Sequence, residues 1–156
     1  MRALLQRVSR AEVRVDGGRI GAIDRGLLIL LGVGPGDDEA VAGALAAKVA
    51  GLRIFADAAG LTNLSIGEVG GAALVVSQFT LYADARKGRR PSFVGAAGAE
   101  LGERLYESFC DRLEAAGVPV ERGRFGAEMG VELVNEGPFT VWLDTKELGI
   151  LARPPR

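Results

Sequence analysis

The sequence predicts a single α+β domain of mainly antiparallel, barrel-like sheets with two principal helices. Three observations carry that prediction. Strand-like runs adjoin one another at both ends of the chain, joined by turns too short to hold crossover helices. Only two stretches carry helical signals. The length of 156 residues, with no linker and no internal repeat, suits one domain.

The elements follow in order. Residues 2–15 set Val8, Val13 and Val15 among polar partners, as a half-buried strand does. Asp16-Gly17-Gly18 is a hairpin turn signal. Residues 19–24 and 26–33 read as two more strands, the second (GLLILLGV) apolar throughout and hence buried on both faces. Gly34-Pro35-Gly36 breaks the chain, and Asp37 or Asp38 caps a helix expected to reach about Phe55. Residues 57–71 are loop-rich, 73–77 (ALVVS) form a short buried strand, and 78–98 show little regular pattern. Residues 99–116 predict an amphipathic helix with Leu101, Leu105, Phe109 and Leu113 spaced by four, stopped by Gly117. Three further strands are expected at 118–121, 130–135 and 139–144, then a loose tail over 146–156 ending in Arg153-Pro154-Pro155-Arg156.

Composition narrows the function. There is no histidine, which excludes Ser-His-Asp and Cys-His chemistry and histidine-ligated metals. The one cysteine, Cys110, excludes an internal disulfide and a multi-cysteine zinc site, and its apolar helix face reads as packing. A net charge of −1 gives no global pull toward nucleic acid or membrane, so any RNA contact must come from a local basic patch. The longest apolar run is far short of the roughly 20 residues a membrane helix needs. No signal peptide is evident, which fits a cytoplasmic protein. Glycine, at 23 residues, is about twice its usual share, and arginine far outnumbers lysine; a GC-rich genome accounts for most of both.

Three places could hold chemistry. Ser77-Gln78-Phe79-Thr80-Leu81 brings two hydroxyls and an amide out of a buried strand. They could act on a substrate, or Ser77 and Thr80 could simply satisfy backbone groups at a strand end; no activating base is close in sequence. Asn135-Glu136-Gly137-Pro138 reads as a turn, or as a rigid cis Gly-Pro device that aims consecutive carbonyls at an ammonium group. Arg86-Lys87-Gly88-Arg89-Arg90, beside Pro91-Ser92-Phe93, is the only dense basic run: a solvated loop or a phosphate contact. Phe125, Met129 and Trp142 read as core.

At these residues the chain resembles the D-aminoacyl-tRNA deacylases. The resemblance includes Leu5-Gln6-Arg7-Val8, Leu52-Arg53-Ile54-Phe55, Val75 through Leu81, Arg90-Pro91-Ser92-Phe93, Gly123-Arg124-Phe125, and Leu133 through Thr140. Two departures are mild: Phe139 stands where the family has valine, and the C-terminal extension is longer.

The resemblance implies a cytoplasmic enzyme that hydrolyses the ester joining a D-amino acid, or glycine, to the terminal adenosine of tRNA. It implies no metal and no cofactor, with the 2′-hydroxyl of the RNA assisting the chemistry. It implies a homodimer whose Gly137-Pro138 motif enters the partner's site, binds the substrate ammonium and rejects L side chains, with Arg7 holding the motif. Ser77, Gln78, Phe79 and Thr80 would face the ester, with N–H groups near Phe79 as the oxyanion site. Phe125 and Met129 would line the adenosine pocket, and Arg86, Lys87, Arg89 and Arg90 would meet acceptor-stem phosphates. Two alternatives stay open: Thr80 as a covalent nucleophile, and a non-catalytic RNA-end or nucleotide-binding module.

Overall fold

The longest hydrogen-bonded ladder joins the two ends of the chain. Strand β1 (Arg2–Val15) pairs antiparallel along its length with β8 (Gly130–Asp144). Its other edge pairs first with β3 (Gly26–Gly32) and then with β2 (Gly18–Ile23), both antiparallel. The turn between β1 and β2 places Asp16 and Gly17 at positive φ, as a tight hairpin requires. The computed structural model describes residues 1–152; the last four residues of the expected tail, Arg153-Pro154-Pro155-Arg156, lie outside them.

Helix α1 (Glu39–Gly51) starts where Asp38 accepts the Val41 N–H at 2.9 Å. It stops four residues short of the expected Phe55, because Leu52 turns extended and Phe55 is drawn into a ribbon of β4 (Phe55–Ala56) and β5 (Thr62–Leu64). Strand β6 (Ala72–Ser77) lies parallel to β3, and β7 (Val120–Arg122) parallel to β6. The sheet is therefore mixed: most pairings are antiparallel as expected, and the long connection through α1 makes β6 parallel to β3. Helix α2 (Ala99–Ala115) buries Leu105, Phe109 and Leu113, the face its spacing predicts.

Two apolar clusters share the sheet. On one face, Leu5, Leu27, Ile29 and Val75 pack with Leu45, Val49, Leu105 and Phe109 of the helices. On the other, Val8, Val13, Leu28, Leu74 and Val76 pack together, where the sheet curls until β2 touches β7. This two-sided burial explains why β3 carries no polar face.

Three expectations change at the C-terminal end. Trp142 is not core: it is 43% exposed, with the Arg2 guanidinium 5.7 Å from its ring centre. The region expected as a loose tail is held as far as Ile150, whose N–H meets the Thr145 carbonyl at 2.8 Å and whose side chain packs on the core. The two strands expected at 130–135 and 139–144 are one strand with a large bulge. Gln6 opposes Thr140 and Val8 opposes Asn135, so the four residues 136–139 face Arg7 alone.

Candidate active site

The parallel strand β6 ends at Ser77, and the chain then folds back over the end of β3. The Gln78 N–H donates to the Leu31 carbonyl at 2.8 Å, and Phe79–Tyr82 form one 3-10 turn. The approach is so close that a Cβ at Gly32 would stand 3.1 Å from the Gln78 carbonyl oxygen, so glycine fits there. Two further bonds fix the strand just before the turn. The Tyr106 hydroxyl donates to the Val75 carbonyl at 2.8 Å, and the Gly123 N–H reaches the same oxygen at 2.9 Å. Burial pushes the Tyr106 phenol up, so it stays protonated and remains a donor.

A cavity of about 430 Å³ opens beside this turn. Ser77, Gln78 and Phe79 line one side, and Phe125 and Met129 line the other, from the segment between β7 and β8. Phe125 leans on Tyr106, their ring centres 6.2 Å apart, and the Met129 sulfur accepts the Arg124 N–H at 3.4 Å. Phe125 and Met129 are therefore half-exposed cavity walls that also touch the core. No lining side chain is ionisable. Thr80 stands outside the lining, and its hydroxyl accepts a hydrogen bond from the Gln78 amide. Cys110 lies on the buried face of α2, where burial pushes its thiol up to about 12, so it is no nucleophile at neutral pH.

The bulge on β8 forms a separate cluster. Gly137 has φ +130°, a left-handed-side conformation that favours glycine, and the Gly137–Pro138 bond is cis. Arg7 braces it from β1. Its Nε donates to the Glu136 carbonyl at 3.2 Å, one terminal nitrogen donates to the Ile54 carbonyl at 2.7 Å, and its guanidinium lies 4.7 Å from the Phe139 ring centre. From within the bulge the Asn135 side chain accepts the Phe139 N–H at 2.8 Å and donates to Thr140 at 2.9 Å. Gly137 and Pro138 themselves are exposed and do not line the cavity.

The basic run forms a small hairpin whose base is an Asp84–Ser92 bridge. Arg86 is bound to Asp84 through two nitrogens, at 2.8 and 2.6 Å, and this hydrogen bonding holds the Asp84 carboxyl well below its usual range. Lys87, Arg89 and Arg90 are exposed and form no ion pair within the described residues. Phe93 follows, its ring edge-on to Phe79 at 5.1 Å between centres, which joins the hairpin to the cavity mouth. A larger cavity, about 950 Å³, lies among Arg2, Asp37, Tyr82, Arg86, Lys146 and Leu151, and contains none of the hydroxyl-bearing turn before Tyr82. Among the described residues no group of three or more Cys, Asp or Glu side chains converges to hold a metal ion.

A family model described as D-Tyr-tRNA(Tyr) deacylase matches residues 4–144, which spans every element from β1 to β8. The chain belongs to the D-Tyr-tRNA(Tyr) deacylase family. Family members of known name agree over nearly all of both chains. A D-aminoacyl-tRNA deacylase of Thermomicrobium roseum is 60% identical, covering 95% of this chain and 96% of its own. Another from Ruegeria pomeroyi is 60% identical, covering 92% and 99%. Among solved structures, a c-Myc DNA unwinding element binding protein superposes with a TM-score of 0.86 at 37% identity, covering 92% and 98%. A probable eukaryotic D-amino acid tRNA deacylase superposes with a TM-score of 0.79 at 21% identity and shares the fold.

Set within this family, the quoted motifs fall on two separate structures of the chain. Ser77, Gln78, Phe79, Phe125 and Met129 share the cavity, with Thr80 one step behind it. Arg7, Gly137 and Pro138 share the bulge. Three contributors carried no assigned role in the sequence. Asn135 spans the bulge, Tyr106 ties α2 to β6, and Phe93 reaches Phe79. Asn four residues before Phe139 was the only local signal; the other two contacts are long-range and leave no trace in spacing.

Proposed function

We propose that this protein hydrolyses the ester between a D-amino acid, or glycine, and the 3′-terminal adenosine of tRNA, acting as a cytoplasmic homodimer. The observation that carries the reading is an uncharged cavity beside Ser77, Gln78 and Phe79 in a chain of the deacylase family. Its volume suits a nucleoside-sized ligand. A water molecule adds to the ester carbonyl, the bond to the ribose oxygen breaks, and that oxygen takes the proton; tRNA and free amino acid leave. With no ionisable side chain in the cavity wall, a base must come from elsewhere, and the 2′-hydroxyl of the terminal ribose is the nearest candidate on the substrate. The protein positions and excludes.

The oxyanion site falls to backbone N–H groups at Phe79, since a helical turn leaves its first N–H groups without partners inside it. Phe125 and Met129 hold the adenosine. Thr80 as a covalent nucleophile is the weaker route, because its hydroxyl accepts from Gln78 and the neighbouring cavity offers no group to take its proton. Lys87, Arg89 and Arg90 meet RNA phosphates, with Arg86 a lesser contributor because Asp84 already holds it.

The bulge completes the site from a second copy. Among the described residues strand β8 pairs with β1 alone, leaving its outer edge open, and Val134 and Trp142 on this strand are 42% and 43% exposed. A two-fold contact along that edge would carry Gly137-Pro138 to the partner's cavity. There the carbonyls of Gly137 and Pro138 accept hydrogen bonds from the substrate ammonium. With ammonium and ester carbon both fixed, one Cα substituent points to solvent and the other into the Gly-Pro wall, which admits only hydrogen.

The test compares D-tyrosyl-, glycyl- and L-tyrosyl-tRNA at one sub-stoichiometric enzyme concentration. Turnover of the first two with survival of the third is the expected result. A resistant glycyl ester would show that the D side chain must be gripped, and absence of turnover on all three would leave a binding module.

A further inference from the structure

The mouth of the cavity carries an apolar surface that hydrolysis at the terminal adenosine does not use. Phe79 is 56% exposed and Phe93 36%, two bare aromatic rings in contact beside the opening. The two rings meet edge to face, at 76° between planes, so ring surface stays open to a flat ligand. Phe79 also lines the cavity, while Phe93 stands at the foot of the basic hairpin. Lys87, Arg89 and Arg90 follow one another three to six residues before Phe93, exposed and without carboxylate partners in the described residues. Arg86, by contrast, is neutralised by Asp84, whose backbone closes the hairpin through two bonds to Ser92 at 2.8 and 2.9 Å. The order along this surface is therefore cavity, aromatic pair, cations.

We infer that Phe79 and Phe93 form a stacking platform for the nucleotide that precedes the terminal adenosine, with Lys87, Arg89 and Arg90 taking the phosphates beyond it. The inference rests on the proposed function, which places the adenosine in the cavity. The ligand class is a single-stranded RNA base, bound through its π-face and so without sequence preference. A second protein copy is the poorer occupant. In a two-fold contact across this patch the three cations would face their own copies, with nothing to neutralise them. RNA supplies both a flat apolar surface for the rings and negative charge at one residue's remove. The hairpin then has a mechanical purpose: the Asp84–Ser92 bridge holds the cations and Phe93 in fixed relation to the 3-10 turn that faces the ester.

The experiment measures kcat/KM for three D-tyrosyl esters: of adenosine, of CpA and of CpCpA. The readout is the ratio of the CpA ester to the adenosine ester. A general weakening of the fold moves both substrates together and leaves this ratio alone. Base–aromatic stacking predicts a ratio of roughly 5 to 150 for the unaltered protein. Phe93→Ala should bring it toward one, Phe93→Leu should lower it, and Phe93→Tyr, which keeps the ring, should restore it. The step from CpA to CpCpA should be smaller and should shrink as salt rises. Four outcomes overturn the inference: a ratio near one in the unaltered protein, a large ratio indifferent to Phe93→Ala, a ratio lost equally in Phe93→Tyr, or a change of oligomeric state in Phe93→Ala that accompanies the loss. If the adenosine ester and full-length D-tyrosyl-tRNA both resist hydrolysis, the proposed function itself fails, and this inference with it.

Discussion

The cavity beside Ser77 and the bulge at Gly137-Pro138 are built in opposite ways. The cavity is assembled by one chain from three distant segments, and it is lined without a single charge. The bulge is an exposed loop of an edge strand, yet a buried-stem arginine, a side-chain amide and an aromatic ring all brace it. An exposed loop with no task would not need such bracing. Holding Arg7 in place costs side-chain entropy of about 1.5–2 kcal/mol, which its two carbonyl contacts and its ring contact must offset. The proposed function turns on this contrast: one region would receive and the other would be presented. Gly137 and Pro138 do not line the cavity of their own chain.

Predictions that bear on this contrast span a wide range of effect. The largest concerns the receiving region. If the cavity supplies no base, tRNA ending in 2′-deoxyadenosine should be cleaved about 10²–10⁴-fold more slowly than the ribo substrate, while Thr80→Ala stays within about tenfold of the unaltered enzyme. Single-turnover rates with both substrates check this. A dead Thr80→Ala with normal cleavage of the deoxy substrate would move the chemistry onto the protein.

On the presenting side, Arg7→Ala removes the bonds to the Glu136 and Ile54 carbonyls at once. A displacement of the bulge by about 1 Å should lower kcat/KM for D-tyrosyl-tRNA by around 10²-fold, without abolishing the dimer. Light scattering and kinetics on the same sample separate the two effects.

A third prediction concerns the far end of β8. Burial alone would raise the Asp144 carboxyl, but the Lys146 N–H, the Arg2 guanidinium at 2.8 Å and the Met1 amino group outweigh it and hold it below its usual range. A carboxyl depressed in the folded state adds stability that is fully present above its ordinary pKa of about 3.9 and is lost as pH falls below that toward the folded value. Asp144→Asn should therefore cost about 1–3 kcal/mol at neutral pH, and the gap should narrow as pH falls through that window. Denaturant unfolding at a series of pH values checks it.

The smallest effect belongs to Phe139. Its ring under Arg7 is something valine cannot supply. Phe139→Val should loosen the brace by about 0.5–1 kcal/mol, seen as a small drop in kcat/KM with a nearly unchanged melting temperature.

What could be read from the sequence divides along the same line. Helix α2 was legible because Leu101, Leu105, Phe109 and Leu113 repeat at the helical period, and the start of α1 because Asp38 is a cap. The end of α1 was not, since Ile54 and Phe55 extend the apolar pattern while tertiary pairing with Leu64 takes Phe55 out of the helix. The parallel partners of β6 were hidden because a strand buried on both faces carries no alternation from which to infer a neighbour. Gly137-Pro138 was legible as a special backbone, but its place inside a strand depends on Arg7 from the opposite end of the chain. Trp142 misled because its hydrophobicity says bury while an open strand edge leaves it bare. The basic run was legible as charge, and the subtraction of Arg86 by Asp84 required the hairpin.

The central claim is that the cavity of one chain is completed by the bulge of another. Complementation tests it most directly. Gln78→Ala damages the receiving region and Gly137→Val the presenting one, where even a Cβ would stand 3.1 Å from the Arg7 guanidinium. Each variant alone is expected to be nearly inactive on D-tyrosyl-tRNA. Co-refolded in equal amounts, half of the dimers should be mixed, and each mixed dimer should combine an intact cavity with an intact bulge at one of its two sites. Recovery of about a quarter of full activity is the expected result. No recovery above the sum of the two variants, in a mixture shown to contain mixed dimers, would mean that each chain builds its site alone.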